Sequence, residues 1–414
     1  MRHNTLSDPL QLANGAIIKN RIAKAAMEEN MAEAEHAPGP KLCRLYQRWA
    51  QGGAGLIITG NVMVDSRALT GPGAVVLEND RCLAQFSAWA SAIRSGGAQA
   101  WIQLNHPGRQ LYASLGQQAL GPSAVPVDIP GFSSMFSQPK AMNEKDISEV
   151  IDRFVNAAIL AERAGFTGVE IHAAHGYLLS QFLSPLTNHR ADHWGGSLQN
   201  RARLLLIIVQ KVREVVKPEF CVAVKLNSAD FQRGGFEDSD AVAVVGMLNS
   251  LQVDLVEITG GSYESPAMQG QTRDGSTLAR EAYFLTFAKD ILATARMPLM
   301  LTGGIRRRTT AQEVINSGAS IVGIATSLAL NPNLPHSWAR GEISSADLPE
   351  VNWRNKTLAA LAKTSMIKSQ MDRMSNGKNP VLKPSPIWEL LTVQVKTALM
   401  ARKYRKWMSE KTPA

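Results

Sequence analysis

Eight short apolar runs, each closed by glycine, proline or a polar cluster, follow one another along the chain. They are RIAKAAM (21–27), AGLIITG (54–60), QAWIQL (99–104), GVEIHA (168–173), CVAVKLN (221–227), LVEITG (255–260), PLMLTGG (298–304) and IVGIATS (321–327). Runs this apolar predict strands covered on both faces, the habit of parallel sheets. Between them the period becomes helical. DISEVIDRFVNAAILAERAG sets Ile147, Val150, Ile151, Phe154 and Ala158 on one side. KLCRLYQRWAQ, LAQFSAWASAIRSG, RARLLLIIVQKVREVV, DAVAVVGMLNS, REAYFLTFAKDILATA and TAQEVINSGA fill the other gaps. Strict alternation of this kind predicts an α/β protein built as a (β/α)8 barrel. An open doubly wound sheet is the weaker reading, because no G-x-G-x-x-G follows the first strand.

The alternation stops after NPNLPHSW, which divides the chain into a barrel over 1–340 and a helical extension over 341–414. TLAALAKTSMIKSQMDRM reads as a helix and SNGKNPVLKPSP as a linker. Ser385 and Pro386 stand as N-cap and first residue of a last helix, IWELLTVQVKTALMARKYRKWM. Leu391, Val395 and Leu399 recur in it at helical spacing, with Met400, Tyr404 and Trp407 beside them and basic residues between. A basic amphipathic helix suits an anionic membrane surface, a contact between subunits, or packing on its own barrel.

Charge sharpens this division. The formal net charge is +9, yet residues 351–414 hold thirteen Lys/Arg against three Asp/Glu, so the first 350 residues sum to about −1. The basicity belongs to the tail. With 45% hydrophobic residues a large core can form. Cys43, Cys82 and Cys221 lie far apart and make no C-x-x-C pair, which argues against a disulfide framework or a cysteine-bound cluster. The first residues lack the apolar core of a signal peptide, and no window reaches the ~18 uncharged apolar residues of a membrane span. These features lead us to expect a soluble, cytoplasmic protein.

In a barrel, polar residues at the C-terminal ends of the strands face one mouth. EIHAAHGY puts His172 at the end of the fourth strand, with His175 and Tyr177 just beyond. Alone, the two histidines would read as turn caps, and a metal would need a third ligand that nothing nearby is spaced to give. Gln103 on strand three, Lys225 on strand five and the Gly303-Gly304 pair on strand seven stand at equivalent ends. That convergence points to a site. Gly-Gly before a helix start is open to two readings, a phosphate cradle or a turn that needs positive φ. Lys225 is likewise open, to a bound anion or to an ion pair inside the barrel.

These residues resemble the old yellow enzyme family of FMN-dependent NAD(P)H oxidoreductases. IHAAHGYLLSQFLSPLTNHRADHWGGSLQNRARLL is similar to its longest signature, and NRIAKAAM, GLIITGNVMV, WIQLNHPGRQ, VAVKLNSADF, ITGGSYESP and MLTGGIR match in order, over about residues 5–335. The resemblance implies an FMN held without a covalent link and reduced by NADH or NADPH. It implies that Ala25, Ala26, Met27 and Asn61 line the isoalloxazine, that Gln103 bonds its pyrimidine edge, and that Lys225 stands beside N1 and the C2 carbonyl. Gly303, Gly304, Gly323, Ala325 and Thr326 match the phosphate cradle. His172 and His175 match the pair that hydrogen-bonds the carbonyl oxygen of an enone-type substrate, and Tyr177 the residue that protonates the α-carbon. Tyr263 and Met268 are expected at the substrate pocket, or else in a packed loop.

Three positions depart from the pattern. Glu28 replaces a small hydroxyl or thiol beside the flavin, Thr326 stands where an Arg commonly grips the phosphate, and Trp194 stands where a Tyr is usual. One of Arg306, Arg307 and Arg308 is a candidate replacement for the missing cation, the other reading being a solvated basic loop. Three functions follow. The first is an FMN ene-reductase. A flavin-dependent dehydrogenase or demethylase on an unusual substrate is favoured by Glu28 and Thr326. The third is a surface- or RNA-binding module working through its basic tail, for which an aromatic stacking platform is lacking, so no nucleic-acid partner is expected.

Overall fold

The computed structural model describes residues 4–265, 285–342, 345–346, 350–381 and 383–411. Eight parallel strands close a barrel: β1 Ile22–Lys24, β2 Leu56–Met63, β3 Gln99–Asn105, β4 Gly168–Ala173, β5 Cys221–Asn227, β6 Leu255–Thr259, β7 Leu299–Thr302 and β8 Ile321–Ile324. Each pairs with the next in sequence, and β8 returns to β1, where Val322 faces Ile22. The predicted ranges of β4 and β5 agree residue for residue with the observed ones. The predicted eighth strand runs too far. It ends at Ile324, and Thr326–Leu330 is a short helix.

The outer ring holds α1 Pro40–Gln51, α2 Leu83–Arg94, α3 Glu144–Arg163, α4 Leu198–Val215, α5 Asp238–Leu248, α6 Leu285–Thr294 and α7 Arg308–Asn316. Helix α3 shows why they form where they do. Asn143 accepts from Asp146 N at 2.9 Å while the Asp146 carboxylate accepts from Asn143 N at 2.9 Å, so two donors the first turn leaves unpaired are satisfied. Its apolar face, with Ile147, Phe154, Ala157 and Ala158 fully buried, lies on the sheet. Each large side chain buried this way contributes roughly 1.5–3 kcal/mol.

The barrel interior is layered. Its lower part is apolar, with Ala23, Leu56, Trp101, Cys221, Leu255, Met300 and Ile321 in one cluster. A short antiparallel hairpin, Leu10–Gln11 with Ile17–Ile18, caps that end by adding Leu12 and Ile18. Polar side chains fill the level above, toward the strand C-termini. Lys24, by contrast, points outward into the layer beneath α1. Its ammonium donates to Tyr46 Oη at 3.1 Å and to the Ile58 carbonyl at 3.0 Å, and lies 4.6 Å from the Trp49 ring centroid. Burial lowers its pKa to about 8, even though Glu29 stands 3.7 Å away.

The extension adds α8 Lys356–Ser375 and α9 Pro386–Lys411. Ser385 Oγ accepts from Trp388 N at 3.5 Å, the capping its position predicts. Ala401, Tyr404 and Met408 of α9 are buried against Met63, Leu69, Ala74 and Leu115, beside the loops that follow β2 and β3. The Tyr404 hydroxyl donates to the Ser66 carbonyl at 2.8 Å. The last turns of the tail therefore dock on the barrel.

Candidate active site

The strand ends assemble a polar floor. In register, Gln103 lies opposite Glu170, Lys225 opposite both His172 and Glu257. Gln103 Nε2 donates to Glu170 at 2.5 Å, and Lys225 Nζ to Glu257 at 2.6 Å. One oxygen of each carboxyl, Glu170 Oε1 and Glu257 Oε2, has no donor. A proton shared between them satisfies both. Burial and the neighbouring Glu257 charge raise the Glu170 carboxyl well above its ordinary value. Burial would raise Glu257 too, but the Lys225 cation and the proton on Glu170 outweigh it and hold it low. The pair carries one proton and one charge, and Lys225 balances the charge. The ion-pair reading of Lys225 is thus met inside the barrel, and its ammonium keeps further donors for a ligand.

Above the floor, His172 is buried at the end of β4. Its Nδ1 accepts the Ala174 N–H at 3.2 Å, which places the ring proton on Nε2. Burial, then His175 and Lys225, drive its pKa well below the usual value, so the ring is neutral. His175 sits 5.1 Å from it, ring centre to ring centre, with Nε2 3.0 Å from Thr259 Oγ1. Burial and Lys225 depress it in the same way. Its backbone lies at φ 60°, a left-handed conformation that costs a side-chain-bearing residue energy. Three contacts hold it there: His175 N donates to Asn227 Oδ1 at 3.1 Å, Gln110 Nε2 donates to its carbonyl at 3.1 Å, and a bridge joins it to Ser262. The end of β5 and the loops after β3 and β6 fix this loop.

Tyr177 packs its ring 4.9 Å from His172, and its hydroxyl lies 2.8 Å from that of Tyr263. Burial and the charge of Glu28 keep the Tyr177 phenol protonated by raising its pKa far above the ordinary range. Tyr263 is placed by its neighbour: Glu264 pairs with buried Arg109 and accepts from Asp128 N at 2.7 Å, tying the loop after β6 to the loop after β3. Phe136 and Tyr112, stacked at 5.2 Å, extend this aromatic wall. Met268 lies outside the described residues.

On the β1 side, Ala25 is fully buried and donates its N–H to the Ile324 carbonyl at 2.9 Å, while Ala26 and Met27 are half-buried. Asn61 follows an irregularity of register between Ile58 and Asn61 in β2 and donates to Thr70 Oγ1 at 3.3 Å. Glu28 does not turn away to solvent. Its Oε2 meets Lys368 of α8 at 2.8 Å, and its Oε1 is buried with no partner. Gly304 adopts φ 64°, so the turn reading holds for it. Gly323 is needed for another reason: a Cβ there would lie 1.8 Å from Thr302 Oγ1. Ala325 and Thr326 open the short helix after β8, and Arg306, Arg307 and Arg308 are exposed. Trp194 serves the scaffold. Its indole N–H donates to Glu144 at 2.9 Å at the start of α3.

Several residues of this rim are illegible in the sequence pattern. Asn105, two positions beyond Gln103, is fully buried with neither amide atom partnered. Tyr112 and Lys368 come from a loop and from the tail. Lys363, also on α8, has its pKa lowered by burial and by nearby Arg306. Unpartnered buried atoms on Asn105, Ser228, Thr302 and Glu28 ring the mouth, and such groups call for partners. The pyrimidine edge and ribityl hydroxyls of FMN carry donors and acceptors of the matching kinds. The mouth fits the cofactor.

The chain belongs to the NADH:flavin oxidoreductase / NADH oxidase family, whose model matches residues 5–342. It is 38% identical over 353 residues to the NADH-dependent flavin oxidoreductase iliE of Hypocrea jecorina (strain QM6a), covering 79% of this chain and 87% of that one. It is 31% identical over 344 residues to an NADPH dehydrogenase of Halalkalibacterium halodurans (strain ATCC BAA-125 / DSM 18197 / FERM 7344 / JCM 9153 / C-125), covering 82% and 95%. Among solved structures it is similar to the old yellow enzyme homologue from Zymomonas mobilis, with a TM-score of 0.72 and 26% identity over 83% of this chain and 95% of that one. The protein is an FMN-binding, NAD(P)H-dependent flavin oxidoreductase of old yellow enzyme type.

Proposed function

We propose that the enzyme reduces the activated C=C bond of α,β-unsaturated carbonyl compounds. Bound FMN supplies the hydride from N5, after its own reduction by NADH or NADPH. The observation that carries the reading is the geometry at His172: the backbone N–H of Ala174 occupies Nδ1 at 3.2 Å, which leaves Nε2 as the donor, and burial disfavours a charged ring. A fixed donor of that kind, with His175 beside it, polarises a carbonyl oxygen and stabilises the negative charge that grows there as hydride reaches the β-carbon. Tyr177 keeps its proton and delivers it to the α-carbon, with Tyr263 as hydrogen-bond partner. In this reading Gln103 and Asn105 hold the pyrimidine edge, and Lys225 lies beside N1 and the C2 carbonyl. The Ala25–Met27 backbone (25–27) and Asn61 line the ring. Gly303, Gly304, Gly323, Ala325 and Thr326 would hold the phosphate, with Arg306 and the neighbouring Lys363 as candidate cations. Glu28 and Tyr263 border the substrate.

Anaerobic half-reactions test this. NAD(P)H should bleach the yellow protein, and cyclohexenone should restore its colour. Combined replacement of His172 and His175 by alanine should slow re-oxidation by about 10²–10³-fold with flavin still bound. Re-oxidation at the parent rate would sink the reading. The Glu28–Lys368 pair favours a second one, a dehydrogenase for an unusual substrate. Flavin bleaching by a donor other than NAD(P)H, with no response to enones, would establish it.

A further inference from the structure

Helix α9 is held to the barrel by one face and leaves the other bare. Ile387, Leu391, Val395 and Leu399 stand at successive four-residue steps with Trp388 alongside, and all five are 56–68% exposed. They make up five of the ten exposed large apolar side chains among the described residues, the others being scattered. Single exposed apolar residues are ordinary, whereas a contiguous stripe marks an interaction surface. The orientation is fixed. Tyr404 and Met408 are buried on the opposite side, Lys396 pairs with Asp372 of α8 at 2.7 Å, and Trp407 Nε1 donates to Glu35 at 3.2 Å. Beyond Leu399 the outer face changes character. Exposed Arg402, Lys403 and Lys406 follow at three, four and seven residues further on.

We propose that this face of α9 rests on the surface of an anionic lipid bilayer, its first half entering the interface and its second half meeting the phosphates. Charge decides between lipid and a second copy of the chain. Antiparallel pairing of two α9 helices would press the cations of one onto the apolar stripe of the other, and parallel pairing would oppose cation to cation. Either arrangement buries the charges of Arg402 and Lys403 against an apolar or like-charged surface, Lys406 having Glu410 at 3.7 Å beside it. An anionic bilayer offers hydrocarbon to Leu391 and Val395 and negative charge to Arg402 and Lys403, and an indole such as Trp388 suits the boundary. The surplus of ten positive charges in residues 351–414 adds attraction of the same sign. Among the described residues no helix is long and apolar enough to cross a membrane, so the helix lies on the bilayer.

The test is co-sedimentation of the full-length holoenzyme with vesicles of phosphatidylcholine alone or with 3:7 phosphatidylglycerol (about a third anionic lipid, in the range of cell membranes). Binding to the mixed vesicles should exceed binding to the neutral ones at least tenfold and fade with added salt. L391E/V395E should lose it at least tenfold while keeping its flavin absorbance. R402Q/K403Q/K406Q should lose only the preference for anionic lipid. Equal binding to both vesicles, or undiminished binding by L391E/V395E, would overturn the proposal. So would a wild-type dimer in vesicle-free solution that L391E/V395E converts to monomer, since it would assign the stripe to a second copy.

Discussion

At the scale of single residues, the site turns on where protons are held. Tyr177 is an acid only if it holds its proton, and burial beside Glu28 secures that. Tyr177→Phe should therefore slow enone-driven re-oxidation of the flavin while leaving its reduction by NAD(P)H unchanged, a split that stopped-flow absorbance reads directly. His106 makes a different kind of statement. Buried and neutral, with Nδ1 accepting from Gly108 N at 3.1 Å, it has its pKa lowered to about 4 by burial. In the unfolded chain it takes a proton near pH 6.5, so its contribution to stability is complete above that pH and is lost as pH falls toward 4. Over that window the loss amounts to about 3 kcal/mol. Urea titrations of His106→Gln between pH 7 and 4 should show a correspondingly shallower pH dependence than wild type. Parallel curves would mean that the imidazole is charged or exposed.

At the scale of elements, each strand end carries one duty and each neighbour restrains it. Gly323 lets β8 lie against Thr302 of β7. Gly323→Ala should cost roughly 1–3 kcal/mol by overpacking and weaken FMN retention, to be measured by thermal melting and by fluorescence of released flavin. A melt and a flavin affinity equal to wild type would show that the two strands can part without cost. Helix α8 brings Lys368 to Glu28, and the pair is partly open to solvent, so it is worth about 1 kcal/mol or less. Removing the cation leaves a negative charge where more negative charge must develop. Lys368→Met should lower enone turnover up to about fivefold, and E28Q/K368M should restore it. Failure of the double variant to recover would point to packing rather than charge.

At the scale of the whole molecule, the barrel was legible because its strands are covered on both faces and its helices on one. β4 and β5 agree with their predicted ranges, since Gly168 opens the first run and Asn227-Ser228 closes the second. β8 did not, because no glycine, proline or charged residue just after Ile324 marks its end, where the chain turns into the helix that starts at Thr326. His172, His175, Tyr177, Gln103 and Lys225 were legible as strand-end polar residues, and the structure brings them to one rim. The proton shared by Glu170 and Glu257 was not, for it depends on β4 and β6, which flank β5 without pairing with each other, bringing their side chains together inside the barrel. Asn105 was hidden by its strand, and Lys368 by distance along the chain.

That distance has a consequence for synthesis. Glu28 and Lys368 are 340 residues apart, so a nascent polypeptide halted at residue 355 would already possess all eight strands yet lack the ammonium that faces Glu28. The entrance to the catalytic chamber is finished only after the barrel itself has been synthesised.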